Sequence, residues 1–555
     1  MAIIGIDLGT TNSLATVFRN GKPEIVSNAL GNTLTPSVAG LDDEGNVIVG
    51  ESAKERLITH PDLTVAEFKR TMGTDKGYNL GQQVFTSQQL SSIVLKKIKT
   101  DAEKYLGEEV EEAVISVPAY FDDRMRSATK QAAELAGIKC ERLVNEPSAA
   151  ALAYLYSHGW KYGTYMVVDF GGGTLDVSIV DSFDQVMEII AVAGDNQLGG
   201  KDFNEAIYNY FCATNGLMDG DLTSEHKAAI YRMAEITKMA LTTNPFAVMS
   251  VIIDDKEYTA TLDNNMLIKI AHSVFERVHE PIRKVLKDSR LSVDELEDII
   301  LVGGSCKMPT VAAFIAKVTG KTPCTDIDPD TAIAIGAGVF AGIKSRNEDF
   351  KDIVMTDICP FSLGVAILDN YTKDEIMSFI IQRNSMLPTS KVQSYCAVNN
   401  NQSQSRFDIF QGESIYPKNN IKLGTLVINY DPVNAGDHTA DVRLTYDING
   451  MLMVDVTSKD GVTESKILMG SSRLSQKEIE ATKERLEKIK FADSENEEEK
   501  LLIARCERII EETYSYERDL LIDRLMWFKA MMEHGNSVEK RKIKTQFKEF
   551  LDGIG

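Results

Sequence analysis

Twice in this sequence an apolar, β-branched strand runs into an aspartate, turns on glycines and hydroxyls, and resumes as a second strand. The first copy is Ile3-Ile4-Gly5-Ile6-Asp7-Leu8-Gly9-Thr10-Thr11-Asn12-Ser13, resuming from Leu14 to Phe18. The second runs Met166-Val-Val-Asp169-Phe-Gly171-Gly172-Gly173-Thr174-Leu-Asp176-Val-Ser-Ile179. A strand, a tight turn and a returning strand make a hairpin. Glycine reaches φ above zero and exposes its N–H without a Cβ in the way, so an anion can lie directly on the backbone. Asp169 and Asp176 would repel that anion unless a hydrated divalent cation stood between them, and nucleotide phosphates bring Mg²⁺ of that kind. One such hairpin is more often only a turn. Two can grip a polyphosphate from opposite sides.

Each hairpin has a helix of small residues behind it. Val144-Asn145-Glu146-Pro147-Ser148 leads into Ala149, Ala150, Ala151 and Ala153, and Asp328-Pro329-Asp330 leads into Ala332, Ala334, Gly336, Ala337 and Gly338. Proline near a helix start and small residues along its face let two helices cross closely. The N-terminal region therefore reads as two related halves facing each other across a cleft.

The segments Gly5-Ile-Asp-Leu-Gly-Thr-Thr11, Val117-Pro-Ala-Tyr-Phe121, Asn145-Glu-Pro147, Asp169-Phe-Gly-Gly-Gly-Thr-Leu-Asp176 and Val302-Gly-Gly-Ser305 resemble, in order and spacing, the 70-kDa heat-shock chaperones of DnaK type. The short C-terminal part and Thr356-Asp-Ile-Cys-Pro-Phe-Ser-Leu-Gly364 look most like the HscC branch. The resemblance implies a multidomain chain: an α/β actin-like, ribonuclease-H-like duplicated ATPase domain over residues 1–348, an interdomain linker over 349–358, an antiparallel β-sandwich peptide-binding domain over 359–470, and a short α-helical lid over 471–555.

The remaining sequence is consistent with that division. A length of 555 residues implies roughly three or four domains. A net charge of −22 argues against a nucleic-acid surface, which needs clustered Lys and Arg. Seven cysteines without Cys-x-x-Cys give neither a disulfide framework nor a zinc site, and a reducing compartment, the cytoplasm, is expected. There is no basic leader and no apolar stretch long enough to span a bilayer, so neither a signal peptide nor a membrane partner is expected.

Up to about residue 348, strand-like runs alternate with amphipathic helices, such as the face Leu90, Ile93, Val94, Ile98, Ala102 and Tyr105. Residues 349–358 are a short apolar run between charges, an edge strand by pattern alone and a docking linker by resemblance. From Cys359 the period becomes two: Val442, Leu444, Tyr446 and Ile448, a turn at Asn449-Gly450, then Leu452, Val454 and Val456, with a second turn at Asp460-Gly461. Ser475 and Glu478 form a candidate capping box, after which helical spacing (Ile479, Leu486, Ile489; Leu502, Cys506, Ile509; Leu521, Leu525, Phe528, Met532; Ile543, Phe547, Phe550) predicts a compact helical bundle.

By resemblance, the catalytic set is Lys69, Glu146, Asp169, Thr174 and Asp176. Asp7, Glu146, Asp169 and Asp176 order Mg²⁺, mostly through water. Gly9, Thr10, Thr11, Gly171, Gly172, Gly173, Gly199 and Gly200 belong to the phosphate grip. Glu235, Lys238 and Thr242 hold adenosine from one helix face, and Gly303, Gly304, Ser305, Lys307 and Asp330 from the facing side. Lys307 and Met239 stand where arginine is usual, and arginine stacks on a purine as lysine cannot. Lys69, taken alone, reads as an exposed helix lysine. Pro118, Arg126 and Asp357 match coupling positions; taken alone, Pro118 ends a strand and Arg126 lies on the surface. Leu368, Tyr395 and Phe407 match groove residues, and Ser405 stands where an aliphatic residue is usual.

The implied ligands are ATP and ADP with Mg²⁺, and K⁺ as a further candidate. The implied partners are unfolded or extended polypeptides and a J-domain co-chaperone, with a nucleotide exchange factor as a further candidate. The reading is an ATP-driven peptide-binding chaperone. A small-molecule kinase and an actin-like filament protein share paired phosphate hairpins, but neither has a use for residues 359–555.

Overall fold

The computed structural model describes residues 2–254, 256–345, 353–369, 374–468, 476–488, 496–513 and 516–554. Both glycine hairpins lie within six-stranded sheets of the same plan. In the first, Ala2–Asp7 pairs antiparallel with Asn12–Arg19 and parallel with Val110–Val117, and Lys22–Val26 continues the antiparallel side. In the second, Gly163–Phe170 pairs antiparallel with Leu175–Phe183 and parallel with Asp298–Val302, and Val186–Asp195 continues it. Successive side chains of the second hairpin enter different cores. Met166, Val168 and Phe170 pack with Leu175 and Val177 on one face, and Tyr165 and Val167 pack with Ile189 and Val192 on the other. A strand buried on both faces needs an apolar residue at every position, which is why this run shows no alternation.

The small-residue helices Glu146–His158 and Ala332–Lys344 cross between the sheets. A Cβ on Gly336 would overlap the carbonyl of Ala149, and one on Gly5 would overlap the backbone at Ala337 and Gly338. Helix Ser87–Leu106 starts with a capping box between Thr86 and Gln89 and buries Leu90, Ile93, Val94, Ile98 and Ala102. Tyr105, expected on that face, is exposed and donates to Glu24 at 2.8 Å.

The described residues between 363 and 468 form two four-stranded antiparallel sheets, Glu375–Ile381 to Ile421–Val433 and Thr389–Cys396 to Thr463–Leu468. Val442, Leu444, Tyr446, Leu452, Val454 and Val456 are fully buried between them. The expected turns fall at Gly450 and Gly461, both with positive φ.

Val354–Ile358 is not the edge strand that pattern alone predicts but a connector with a strand paired on each side. It pairs parallel with Val186–Glu188 of the second six-stranded sheet and antiparallel with Met386–Leu387 of the sandwich. Residues 349–352 of the expected linker lie outside the described residues, as do Ser475 of the expected capping box and Ile489.

The C-terminal helices differ from the expected single bundle. Glu497–Glu512, Tyr516–His534 and Ser537–Asp552 share one core around Phe528 and Phe547. Gln476–Lys488 does not join them: Ile479 and Leu486 insert into the core of the first six-stranded sheet. An apolar stripe of helical spacing states that something covers it, not what. The three-helix unit packs on Glu51–Thr59, where Arg508 pairs with Glu55, and is tied to neighbouring segments by Lys500 with Asp42 at 2.6 Å and by Glu497 with Lys97 of helix Ser87–Leu106 at 3.0 Å.

Candidate functional site

Glu146 opens its helix, Asp169 stands at the end of one hairpin strand and Asp176 on its return, and strand pairing sets Asp169 directly opposite Asp176. One carboxylate oxygen from each of the three lies within 4.8 Å of the others, and all three residues are buried. The Oδ2 atoms of Asp169 and Asp176 are buried without a hydrogen-bond partner. Hard oxygen donors, crowded and unsatisfied, suit a hydrated Mg²⁺. Lys69 Nζ donates to Glu146 Oε1 at 2.8 Å, both side chains buried. The lysine is therefore not on an exposed helix. It sits in the tight turn Phe68–Thr71 beneath the cleft. Asp7 lies outside this triad and accepts from Ser116 Oγ at 2.7 Å.

Burial first, then the neighbouring Glu146 carboxylate, pushes Asp7 and Asp176 up to about 7. Asp169 is raised well above the usual carboxylate range by burial, then by Glu146, Asp176 and Asp7. A carboxyl raised in the folded state binds protons there more tightly than in the unfolded chain, so its ionisation removes stability as pH rises from 3.8 toward about 7. The melting temperature in EDTA is expected to fall as pH rises through that window. Mg²⁺ with ADP is expected to raise it more at pH 8 than at pH 6. Thermal scans at both pH values check this, and equal shifts would count against these carboxylates as the cation site.

Asp7, Glu146 and Asp169 open into a cavity of about 320 Å³. Asp7, Gly9, Thr10, Thr11, Lys69, Glu146, Asp169, Gly171, Gly172 and Thr174 line it. Gly200, Glu235, Lys238, Thr242, Gly303, Gly304, Ser305, Lys307 and Asp330 line it as well. Lys238 Nζ donates to Gly200 O at 2.9 Å and Ser305 Oγ to Gly171 O at 2.7 Å, tying the helix, the serine loop and the hairpin together. Burial pushes Lys238 down to about 8. Lys307 is paired with Asp330, and Met239 is an exposed rim residue. Asp176, Gly173 and Gly199 are not on the wall. Asp176 accepts from Tyr120 N–H at 3.1 Å behind it, and the two glycines permit close approach, since a Cβ on Gly199 would overlap the backbone of Gly172 and Gly173. A larger cavity of about 780 Å³ adjoins this one through Thr10, Thr11, Lys54, Glu235 and Met239. It forms the open mouth of the cleft between helices Glu51–Thr59 and Ser224–Ala240.

Two mirrored hairpins thus converge on one carboxylate-floored cavity with a buried lysine. A family model described as Hsp70 protein matches residues 3–79 and 76–525. The chain belongs to the Hsp70 family. Chaperone protein DnaK of Thermotoga neapolitana is 34% identical over 572 aligned residues, covering 100% of this chain and 92% of that protein. Those of Thermotoga petrophila and Thermotoga maritima match with the same identity and coverage. As an Hsp70 this chain is an ATP-hydrolysing molecular chaperone, and the kinase and filament alternatives are not favoured. Among the described residues no helix is long and apolar enough to cross a membrane.

Arg126 and Asp357 meet at Asn145, next to Glu146. Arg126, expected on the surface if taken alone, is buried. It donates to Asn145 Oδ1 at 2.7 Å, to Ala119 O and Phe121 O, and to Asn449 O of the sandwich turn at 3.4 Å. Asn145 Nδ2 donates to Asp357 at 2.7 Å, and Ser148 Oγ to the same carboxylate at 3.1 Å. Pro118 ends its strand, and its carbonyl accepts from Phe121 N–H at 3.1 Å.

Sequence reasoning missed further contacts of this interface. Asp123, held well above its usual range by burial, accepts from Leu452 N–H at 3.1 Å. Asn449 Oδ1 accepts from Leu143 N–H, and Arg383 pairs with Asp288 at 2.7 Å. Asp122 caps the helix that Asp123 opens, but nothing local marks the Asp123 carboxyl for a distant strand.

Of the groove positions, Leu368 is exposed at a strand end and Tyr395 is half-buried, its ring 5.4 Å from that of Phe407. Phe407 is buried in the sandwich core. Ser405 is buried too, bonded to Tyr430 Oη at 2.6 Å, so its hydroxyl is satisfied inside the sandwich.

Proposed function

We propose that residues 1–348 bind and hydrolyse ATP, that residues 349–358 carry the nucleotide state to a peptide-binding sandwich over 359–470, and that residues 471–555 act as its lid. Asn145 carries this reading: it ends the strand Leu143–Asn145, precedes Glu146, and bonds both Arg126 and the connector's Asp357. A change at Glu146 moves its neighbour Asn145, and Asn145 cannot shift without disturbing the connector and the sandwich turn.

Phosphoryl transfer to water needs charge neutralisation and in-line positioning. Thr10, Thr11 and the N–H of Gly172 would hold the phosphates, Gly171 shaping the turn with its own N–H on Thr174 O at 3.0 Å; Lys69 would neutralise charge on the transferred group, and Thr174 would border the attacking water. Glu146, Asp169 and Asp176, with Asp7, would order Mg²⁺ through water, which supplies charge neutralisation when bound; K⁺ would be a second cation of the same cavity. Glu235, Lys238, Thr242, Gly303, Gly304, Ser305, Lys307 and Asp330 would enclose the nucleoside. Leu368, Tyr395, Ser405 and Phe407 would border the peptide groove. Clients would be extended polypeptide segments, with a J-domain co-chaperone and an exchange factor as helpers in the cytoplasm.

The arrangement described here, with connector paired, sandwich turn bonded and helices docked, fits the state that releases peptide quickly, because hydrolysis must then undo these contacts to retain it. An extended peptide together with a J-domain protein is expected to stimulate ATP hydrolysis at least about fivefold, the low end of ordinary coupling. Steady-state phosphate release checks this. Stimulation by neither would reduce the molecule to an ATPase joined to a binding module.

A further inference from the structure

Lys69 lies in a turn of the first lobe, whereas the glycine hairpin Gly171–Gly173 and helix Gly200–Asn215 belong to the second. The residues beside Lys69 carry opposite charges, and each meets its complement across the cleft. Glu67 pairs with Lys201, and Arg70 Nη2 lies 3.3 Å from Asp202 Oδ2. Gln197 Nε2 also donates to Arg70 O at 3.1 Å.

The same Asp202 oxygen accepts from Gly199 N–H at 2.7 Å. Gly199 is pressed onto the backbone of Gly172 and Gly173, while Gly200 N–H and Lys201 N–H donate to Gly171 O at 3.0 Å and Gly172 O at 3.1 Å. Arg70 in turn lies over Gly173, where a Cβ would stand 3.1 Å from its Cγ and Cδ. Arg277 holds the other oxygen of Asp202 at 3.5 Å. One carboxylate therefore joins the turn bearing Lys69 to the hairpin that faces it. Glu67 opens that turn at φ 69, a left-handed conformation that a side chain disfavours and that surrounding contacts must hold.

We propose that Arg70 and Asp202 are positioning residues: they clasp the two lobes so that Lys69 reaches its working place only when the cleft is closed, an inference that rests on the nucleotide-site reading above. At 19% and 22% side-chain exposure the pair is sheltered enough for its charge to count and open enough to part when the lobes separate. Hydrolysis then depends on lobe closure through these two side chains, without either touching nucleotide.

The test compares wild type, Arg70→Ala, Arg70→Lys, Asp202→Asn and the Arg70→Ala/Asp202→Asn double in the full chain. Asp202→Asn keeps an acceptor for Gly199 N–H and removes the charge. Single-turnover hydrolysis at saturating Mg-ATP is measured beside the ATP dissociation constant and the melting temperature. Arg70→Ala and Asp202→Asn are each expected to slow single turnover about tenfold, within the cost of a small misplacement at a reacting centre. The double is expected to be no slower than the worse single, because both remove the same link. Affinity is expected to stay within about threefold, and Arg70→Lys to recover most of the rate, which a purely structural role would not give. Wild-type rates in both singles, or losses that multiply to about 100-fold in the double, would overturn the clasp while leaving the nucleotide site standing. Wild-type protein that binds no Mg-ATP would remove the nucleotide-site reading itself, and the clasp with it.

Discussion

Lys69→Gln is expected to slow single-turnover ATP hydrolysis by about 10²–10³-fold, the usual cost of losing one preorganised charge-stabilising group. Lys69 Nζ is 2.8 Å from Glu146 and buried among acids that raise one another's pKa. Its charge acts in a site from which water is largely excluded, where it counts for more than at a surface. Glutamine keeps a donor for Glu146 and a similar length, so the loss isolates the charge. Binding is expected to change far less than rate, since the residues proposed above to hold phosphates and nucleoside do not depend on Lys69; a fall in single-turnover rate with near-constant affinity is the signature of an interaction made in the transition state. Lys69→Ala goes further. It leaves Glu146 buried without its cation, which costs about 3–5 kcal/mol when one partner of a buried pair is removed. That loss is expected to shrink in Mg²⁺, because a second cation answers the same carboxylate. Wild-type turnover in Lys69→Gln would remove the lysine from the chemistry, whatever its place in the fold.

What could be read in advance follows from how local each signal is. The hairpin at Asp169 was legible because glycine, β-branching and period are properties of neighbouring residues, and the same holds for Asn449-Gly450 as a turn. That this turn also presents Asn449 to Arg126 and Leu143 depends on a lobe more than 300 residues away, and no local rule contains it. Lys69 shows the converse case. Its own pattern reads as a solvated lysine, because the left-handed residue at Glu67 and the burial of Phe68 turn the chain inward where no glycine or proline announces it. Ile479 and Leu486 were read with the right period and the wrong neighbours, since spacing fixes a face and the docked arrangement chooses its cover. Gly199 and Gly173 were read as phosphate contacts; the structure adds a packing reason for each glycine, since a Cβ on Gly199 would overlap the backbone of Gly172 and Gly173, and one on Gly173 would crowd Thr10 and Arg70.

Asp357→Ala is expected to bring the ATP-driven acceleration of peptide release to within about twofold of none, against about 5–150-fold for ordinary allosteric coupling. The connector's hold on the ATPase sheet is slight: three residue pairs with Val186–Glu188 along one edge. The carboxylate adds two bonds from the other side, from Asn145 and Ser148. Hydrogen bonds to a charged group contribute about 1.5–3 kcal/mol each, and couplings of this kind amount to about 1–3 kcal/mol in total. Losing both bonds therefore exceeds what there is to lose. Asn145 faces Asp357 with its Nδ2 and Arg126 with its Oδ1, so removing Asp357 also frees the amide that orients Arg126 toward Asn449. Asp357→Asn keeps an acceptor without the charge and is expected to fall between the two. Basal hydrolysis is expected to stay within about threefold of wild type, because the side chain does not line the nucleotide cavity. Stopped-flow release of a labelled peptide with and without ATP checks the coupling. Unchanged acceleration would mean that Arg126, Asp123 and Arg383 hold the sandwich in place without the connector.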